Sequence, residues 1–295
     1  MTADQPRRRL PLEQVVAAVS VPAAIQESAH QADPEFAPGQ IWRADWSEEV
    51  LLVAISGVGD GISSVPLSLD ADYRDETSVL LDLAWSPLGI PLVAWPDLKR
   101  DLPRSVFAQF IGELDAAALG ALAEEQGAQR SRVTANHAVE IYKAVVEDSM
   151  DALAAVQWAV GGTGQLASIV QSLTPEQIAS AIGATAQRAL ALWRGQSPLT
   201  SEEATRISPL VGHTPTELLA SNPSPPADLV TGLDQPRRHR QVRVFAELRE
   251  RDLAAAYWDV AIDTWALAAR QTGNQHGIDW EGRLDTFFAA VLYDE

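Results

Sequence analysis

"IASAIGATAQRALALWRGQ", Ile178 to Gln196, carries small and apolar residues at the spacing of two short helices joined by a tight turn. Ile178 and Ile182 lie four apart, on one face of a helix. Thr174 stands where a cap belongs, and Pro175 suits the first helical position. Ala179 is small where a second helix would cross closely. Gly183 sits where the chain must turn sharply, a place where glycine alone takes a positive φ without steric cost. Thr185 is placed to cap a second helix, whose Ala189 and Leu192 are three apart and face inward. Helix, short turn and second helix predict a helix-turn-helix, the arrangement that lays its second helix in a DNA major groove.

The pattern continues outward through "LTPEQIASAIGATAQRALALWRGQSPLTSEEATRISPLVGHTPTELL". Over residues 164–222 it resembles the Cro/repressor (XRE-type) family, whose four packing positions match Ala179, Gly183, Ala189 and Leu192. "WRGQSPLT" resembles that family's W-E-R-G-K-x-x-P-S ending, with the tryptophan displaced by one place, and "SEEATRISPLVGHTPTELL" resembles its fourth and fifth helices. The resemblance implies a non-enzymatic transcriptional regulator of a toxin–antitoxin-like or defence locus, a homodimer on double-stranded DNA. Its DNA-binding residues would be Thr185, Gln187, Arg188, Ala191, Arg194 and Gln196. Gln187 and Arg188 are the right types for bidentate pairing with adenine and guanine, and Arg194 and Gln196 would clamp phosphates. Half-sites would then lie about 34 Å apart. The alternative for the same residues is a helix-turn-helix kept only for packing or dimerisation, with Arg188 an ordinary solvated side chain.

Charge speaks for that alternative. The chain has 22 Lys+Arg against 40 Asp+Glu in 295 residues, a formal net charge of −18. Such a balance opposes a general nucleic-acid binder and suits a basic protein partner, because phosphate neutralisation normally supplies much of DNA affinity. The acidity is uneven: residues 36–130 hold 6 basic and 15 acidic residues, whereas residues 161–222 hold 3 and 4. One local reading face therefore survives the global sign. "PRRHRQVR", with Arg237, Arg238, Arg240 and Arg243, could add a basic strip.

Between Ile41 and Trp95 the period changes. "IWRADW", "VLLVAIS", "ISSVPLSL", "SVLLDLAW" and "PLVAW" are short β-rich runs separated by turn residues, which predicts a small antiparallel barrel-like sheet. Helices are expected at "PRSVFAQFIGEL" and "DAAALGALAEEQ". "PGQIWRA", "VPLSL" and "LPRSVFAQFIGELDAAALGAL" resemble the MazF/PemK-type toxins, which implies an SH3-like barrel that cleaves single-stranded RNA. Members that cleave carry an arginine in a longer first loop, whereas "SEEV" offers Glu48 and Glu49. The resemblance therefore implies a catalytically silent version, with Arg43 and Ser68 as the residues to test for any surviving endoribonuclease activity.

The fold class expected is α+β, a small SH3-like antiparallel β-barrel domain followed by a mostly helical region containing the helix-turn-helix. The boundaries expected are an N-terminal helix and linker at 1–35, the barrel at 36–127, a connecting helix at 128–163 capped by Thr134 or Asn136 and stopped by Gly161-Gly162, the helix-turn-helix at 164–222, and a dimerisation segment at 223–295. Within that last segment "HRQVRVFAELRERDLAAAYWDVAIDTWALAARQTG" reads as one long helix, with Trp258 and Trp265 seven apart as a packing or partner stripe. "SGVGDGISS" is followed by a strand rather than a helix, so it reads as a hairpin turn around Asp60-Gly61 and not a phosphate cradle. His137 and Glu140 lie three apart but lack a second ligand cluster. The chain contains no cysteine, so zinc sites built on thiolates are excluded. No cofactor, metal or catalytic residue is expected, no membrane partner, and a cytoplasmic location follows from the lack of a long apolar run.

Overall fold

The computed structural model describes residues 33–59, 61–123, 136–159, 162–272 and 278–292. The helix expected before the first linker, Thr134, Gly161 and Asp60 lie outside the described residues. Two hairpins start the sheet: β1 (Gln40–Trp46) pairs antiparallel with β2 (Glu49–Val58), and β2 with β3 (Ile62–Ser68). Trp46 faces Glu49 across a two-residue turn in which Ser47 adopts φ 54°, the positive φ that such tight hairpins demand. The glycine-rich run joins β2 to β3 as a hairpin, as the sequence predicts.

Four further strands complete the sheet: β4 (Val79–Leu81), β5 (Leu92–Ala94), β6 (Arg100–Leu102) and β7 (Phe107–Glu113). Their order is β4-β5-β3-β2-β1-β7, with β6 beside β3. The end strands β4 and β7 do not pair, so the sheet is open, and the expected SH3-like barrel is corrected to an open seven-stranded antiparallel sheet. The helix expected over 103–114 is likewise a short 3-10 turn (Arg104–Val106) followed by β7. Pairing of Phe107, Gln109 and Phe110 with β1 overrides the local helical pattern, as tertiary context often does.

Strand alternation sends side chains to both faces. One face buries Ile41, Ala54, Val65, Leu67 and Leu92 beneath helix α1 (Ala116–Ala123). The other buries Trp42, Val53, Ile55 and Phe107 against Met150 and Leu153 of α2 (His137–Ala154). Asn136 caps α2 by accepting from the amides of Ala138 and Val139, and the helix ends at Ala154, before the glycine pair. Lys143 ties α2 to the sheet side through Asp75 at 3.0 Å and Asp97 at 2.6 Å.

Helices α3 (Leu166–Val170), α4 (Pro175–Ile182), α5 (Ala186–Trp193), α6 (Ser201–Val211) and α7 (Pro215–Ala220) enclose a separate core of Leu166, Ile178, Ala189, Leu192, Leu199, Ile207 and Leu218. Three of them start with reciprocal capping boxes, Thr174/Gln177, Thr200/Glu203 and Thr214/Glu217, each of which satisfies two otherwise orphaned amides. Asn222 is buried and bonds both the amide and the carbonyl of Leu199, at 2.8 and 3.0 Å, so the proline-rich stretch that follows starts from a fixed point.

Helices α8 (Ala227–Leu233), α9 (Pro236–Leu248), α10 (Leu253–Thr272) and α11 (Trp280–Leu292) close the chain. The single long helix expected here is broken between α9 and α10, where Glu250 takes φ 50°. The break lets Val242, Phe245 and Ala246 fold back onto Leu253, Ala256 and Tyr257 in one core, which also takes in Trp265 and Trp280. Trp46 of β1 packs on the same core, so the C-terminal helices bind the sheet directly. Arg240 of α9 donates to the carbonyl of Ala108 at 2.6 Å, which occupies part of the β7 edge. Among the described residues, no helix is long and apolar enough to cross a membrane.

Candidate functional site

The α4–turn–α5 unit forms where the sequence places it. Gly183 closes α4 at φ 65°, and Thr185 caps α5 by accepting from the amide of Arg188 at 3.3 Å. Thr185, Gln187, Arg194 and Gln196 are exposed, and Ala191 is half-buried. Gln187, Ala191 and Arg194 fall on one strip of α5 and its C-cap, at intervals of four and three residues.

Arg188 is elsewhere. Its residue exposure is 1%, and it points into the helical core rather than toward solvent. Its Nε donates to Glu203 Oε1 at 3.1 Å, and Nη2 donates to Glu203 Oε2 and to the Pro198 carbonyl, both at 2.6 Å. Nη1 donates to Ser197 Oγ. A fork satisfied in this way is not available for guanine, so the base-reading role expected of Arg188 is corrected to a structural one, as is the picture of it as a solvated residue. The signal was in the sequence: Arg188 lies four residues before inward-facing Leu192, hence on the same face. The Thr200/Glu203 capping box brings the carboxylate that such a buried arginine needs. The same Glu203 Oε2 accepts from the amide of Thr200 at 3.0 Å.

Electrostatics around the strip are thin. Residues 161–222 hold three basic side chains, Arg188, Arg194 and Arg206. Arg206 pairs with Glu202 and donates to the carbonyl of Ile182 at 3.0 Å. Arg194 alone of the three is both exposed and without a carboxylate partner among the described residues.

A second buried polar network lies between sheet and C-terminal helices, and sequence reasoning missed it. His239 of α9 meets Asp45 Oδ1 of β1 at 2.7 Å through Nε2, and the Tyr257 hydroxyl of α10 at 3.0 Å through Nδ1. Arg43 Nε and Arg243 Nη1 approach Asp45 Oδ2 at 3.1 and 3.0 Å. Burial pushes the Asp45 carboxyl up, but the hydrogen bond from His239 and the charges of His239, Arg243 and Arg43 outweigh it and hold the group below its usual range. Burial, together with the charges of Asp234 and Asp45, pushes the Tyr257 hydroxyl well above its ordinary value. His239 and Tyr257 are 0% exposed and Asp45 is 1% exposed, so no substrate reaches this Asp-His-Tyr arrangement. It fastens three elements together. "RADW" and "PRRHRQVR" lie about 190 residues apart (Asp45 and His239 differ by 194 positions), and nothing local in either marks the other.

The residues weighed for RNA cleavage do not form a site. Arg43 belongs to the Asp45 network, whereas Ser68 Oγ accepts from the Tyr142 hydroxyl and the Asp70 amide, both at 3.1 Å. Glu49 is engaged by Ser149 Oγ at 2.5 Å. His137 Nδ1 stands 3.8 Å from Glu140, both exposed, and among the described residues no group of three His, Asp or Glu side chains could hold a metal ion.

No family model matches the chain, and no curated protein matches it. With the sheet open, membership of the MazF/PemK-type toxins falls, and membership of the Cro/repressor family, with the toxin–antitoxin setting it implied, has no family match to support it and is withdrawn. What remains is local: a two-helix unit with an exposed polar strip, on a chain dominated by carboxylates.

Proposed function

We propose that the protein is a cytoplasmic, non-enzymatic interaction scaffold for a basic protein partner, and that its α4–turn–α5 unit serves packing rather than DNA reading. The observation that carries this reading is the burial of Arg188, which leaves Arg194 as the one exposed arginine of 161–222 without a carboxylate partner among the described residues, on a chain of net charge −18. DNA affinity needs several phosphate neutralisations per site. The outward face of α2 offers a better-matched surface. Ile141 and Val145, four residues apart on one face, are 54% and 56% exposed, beside exposed Glu140, Glu147 and Asp148. An apolar strip among carboxylates is complementary to a basic amphipathic helix.

The opposing reading, a DNA-binding regulator, draws on one observation: Thr185, Gln187, Arg194 and Gln196 are all exposed on one unit. Fluorescence anisotropy of the whole chain against its own upstream DNA and a scrambled duplex, across a salt series, separates the two. The scaffold reading expects equal and negligible binding. Preferential binding of the upstream duplex, reduced by Gln187→Ala, overturns it. For a basic partner recovered by co-purification, Val145→Asp weakens the complex at an unchanged melting temperature; unchanged affinity removes α2 as the surface.

A further inference from the structure

At the amino end of α9 a cavity of about 720 Å³ is lined by Arg104, Arg237 and Arg240 with Phe36, Val58 and Gln235 among its other walls. Three arginines line it together with two carboxylates, Asp33 and Glu35, and Glu281 pairs with Arg237 at its edge. Three arginines in one place stand out in so acidic a chain, although carboxylates accompany them. The helix of thirteen residues adds the positive end of its dipole, since the cavity includes its cap Gln235 and its first residues Pro236 and Arg237.

The three arginines differ in how they are held. Arg240 is fixed by Asp33 at 2.9 and 3.1 Å and by the carbonyl of Ala108, so its side chain is held in place with part of its fork already engaged. Arg237 pairs with Glu281 at the rim. Arg104 lies over the Phe36 ring, 5.2 Å from its centroid, and among the described residues its guanidinium makes no hydrogen bond or ion pair. A half-buried guanidinium in a cavity, backed by an aromatic face and making no direct ion pair among the described residues although its charge acts on Asp234, suits an anion with several oxygens. Phe36, Val58, Pro34 and Pro236 supply apolar wall beside it, and the volume exceeds what phosphate alone would fill.

We propose that this cavity binds a phosphate monoester, its phosphoryl oxygens held chiefly by Arg104 with the donors that Arg237 and Arg240 keep beyond their ion pairs, and its organic part against the apolar wall. The site is independent of the α2 face and of the α5 strip. Isothermal titration of the whole chain with inorganic phosphate and with adenosine monophosphate tests it, with ionic strength matched by chloride. Both probes are expected to saturate, the monoester more tightly. Arg104→Gln is expected to weaken the monoester at least about tenfold, the loss of one charge-assisted contact, while Arg249→Gln, outside the cavity, changes nothing. Should Arg104→Gln lower the melting temperature, Arg237→Gln, at a half-exposed position, carries the same expectation. Absence of saturation with either probe overturns the proposal, as do binding of inorganic phosphate alone and unchanged affinity in both arginine variants.

Discussion

Replacing Arg188 by alanine separates a structural arginine from a base-reading one. The substitution removes the guanidinium from a site where the Glu203 side chain is only 6% exposed. It takes from that carboxylate the guanidinium bonded to both its oxygens, and strips donors from Ser197 and the Pro198 carbonyl. Breaking a buried ion pair from one side costs about 3–5 kcal/mol, because the remaining charge stays desolvated. That is a large share of a typical stability of about 5–15 kcal/mol. With a urea slope of about 1–3 kcal/mol/M, the midpoint should fall by about 1 M or more. Trp193 reports the event: its Nε1 donates to the Leu173 carbonyl at 3.0 Å, and its ring packs on the same core. Urea titration followed by tryptophan fluorescence is therefore the assay. Removing both charges together, as Arg188→Met with Glu203→Leu, should recover most of the loss, since an apolar pair of similar volume carries no desolvation cost. A loss under about 0.5 kcal/mol in Arg188→Ala, the range of an ordinary surface change, refutes the structural assignment. Loss of DNA binding in that same well-folded variant would restore Arg188 as a reader.

Other outcomes follow from the same physical chemistry. Burial raises the Asp234 carboxyl to about 6, against smaller opposing effects of the Trp158 hydrogen bond at 2.7 Å and the charge of Arg104. The folded state thus binds a proton more tightly than the unfolded one, and stability should decline as pH rises from about 4 through about 6, by at most about 3 kcal/mol. Asp234→Asn keeps an oxygen for Trp158, so it should stabilise the protein at pH 7 and flatten that decline in melts between pH 4 and 8; an unaltered pH profile in the variant refutes the assignment. Asp45 has the opposite sign: its lowered carboxyl contributes stability above pH 3.8 that is lost as pH falls through the folded value. Asp45→Asn should therefore destabilise at pH 7 by about 3–5 kcal/mol, with the gap to the parent closing in acid, as chemical denaturation at both pH values would show. Glu250→Gly should raise stability by about 0.5–1 kcal/mol, because φ 50° costs a non-glycine residue more than glycine loses in chain entropy; a lower melting temperature refutes this.

Local rules determined the elements whose causes lie within a few residues of each other. The α4–Gly183–α5 turn, the capping threonines at 174 and 185, the β1–β2 and β2–β3 hairpins and the Asn136 cap of α2 all follow from backbone preference and near-neighbour hydrogen bonds. Composition alone set the acidic character of the chain. The tertiary structure decided whatever depends on distant partners. Phe107–Glu113 becomes a strand because β1 offers it a ladder, and the sheet stays open because its end strands β4 and β7 never meet. The long C-terminal helix breaks because both halves share one core. Arg188 turns inward because Glu203, fifteen residues on, waits beside it, and His239 finds Asp45 across 194 positions. A charged side chain's role is set by where its counter-charge lies, and for these residues that place is fixed by packing rather than by spacing along the chain.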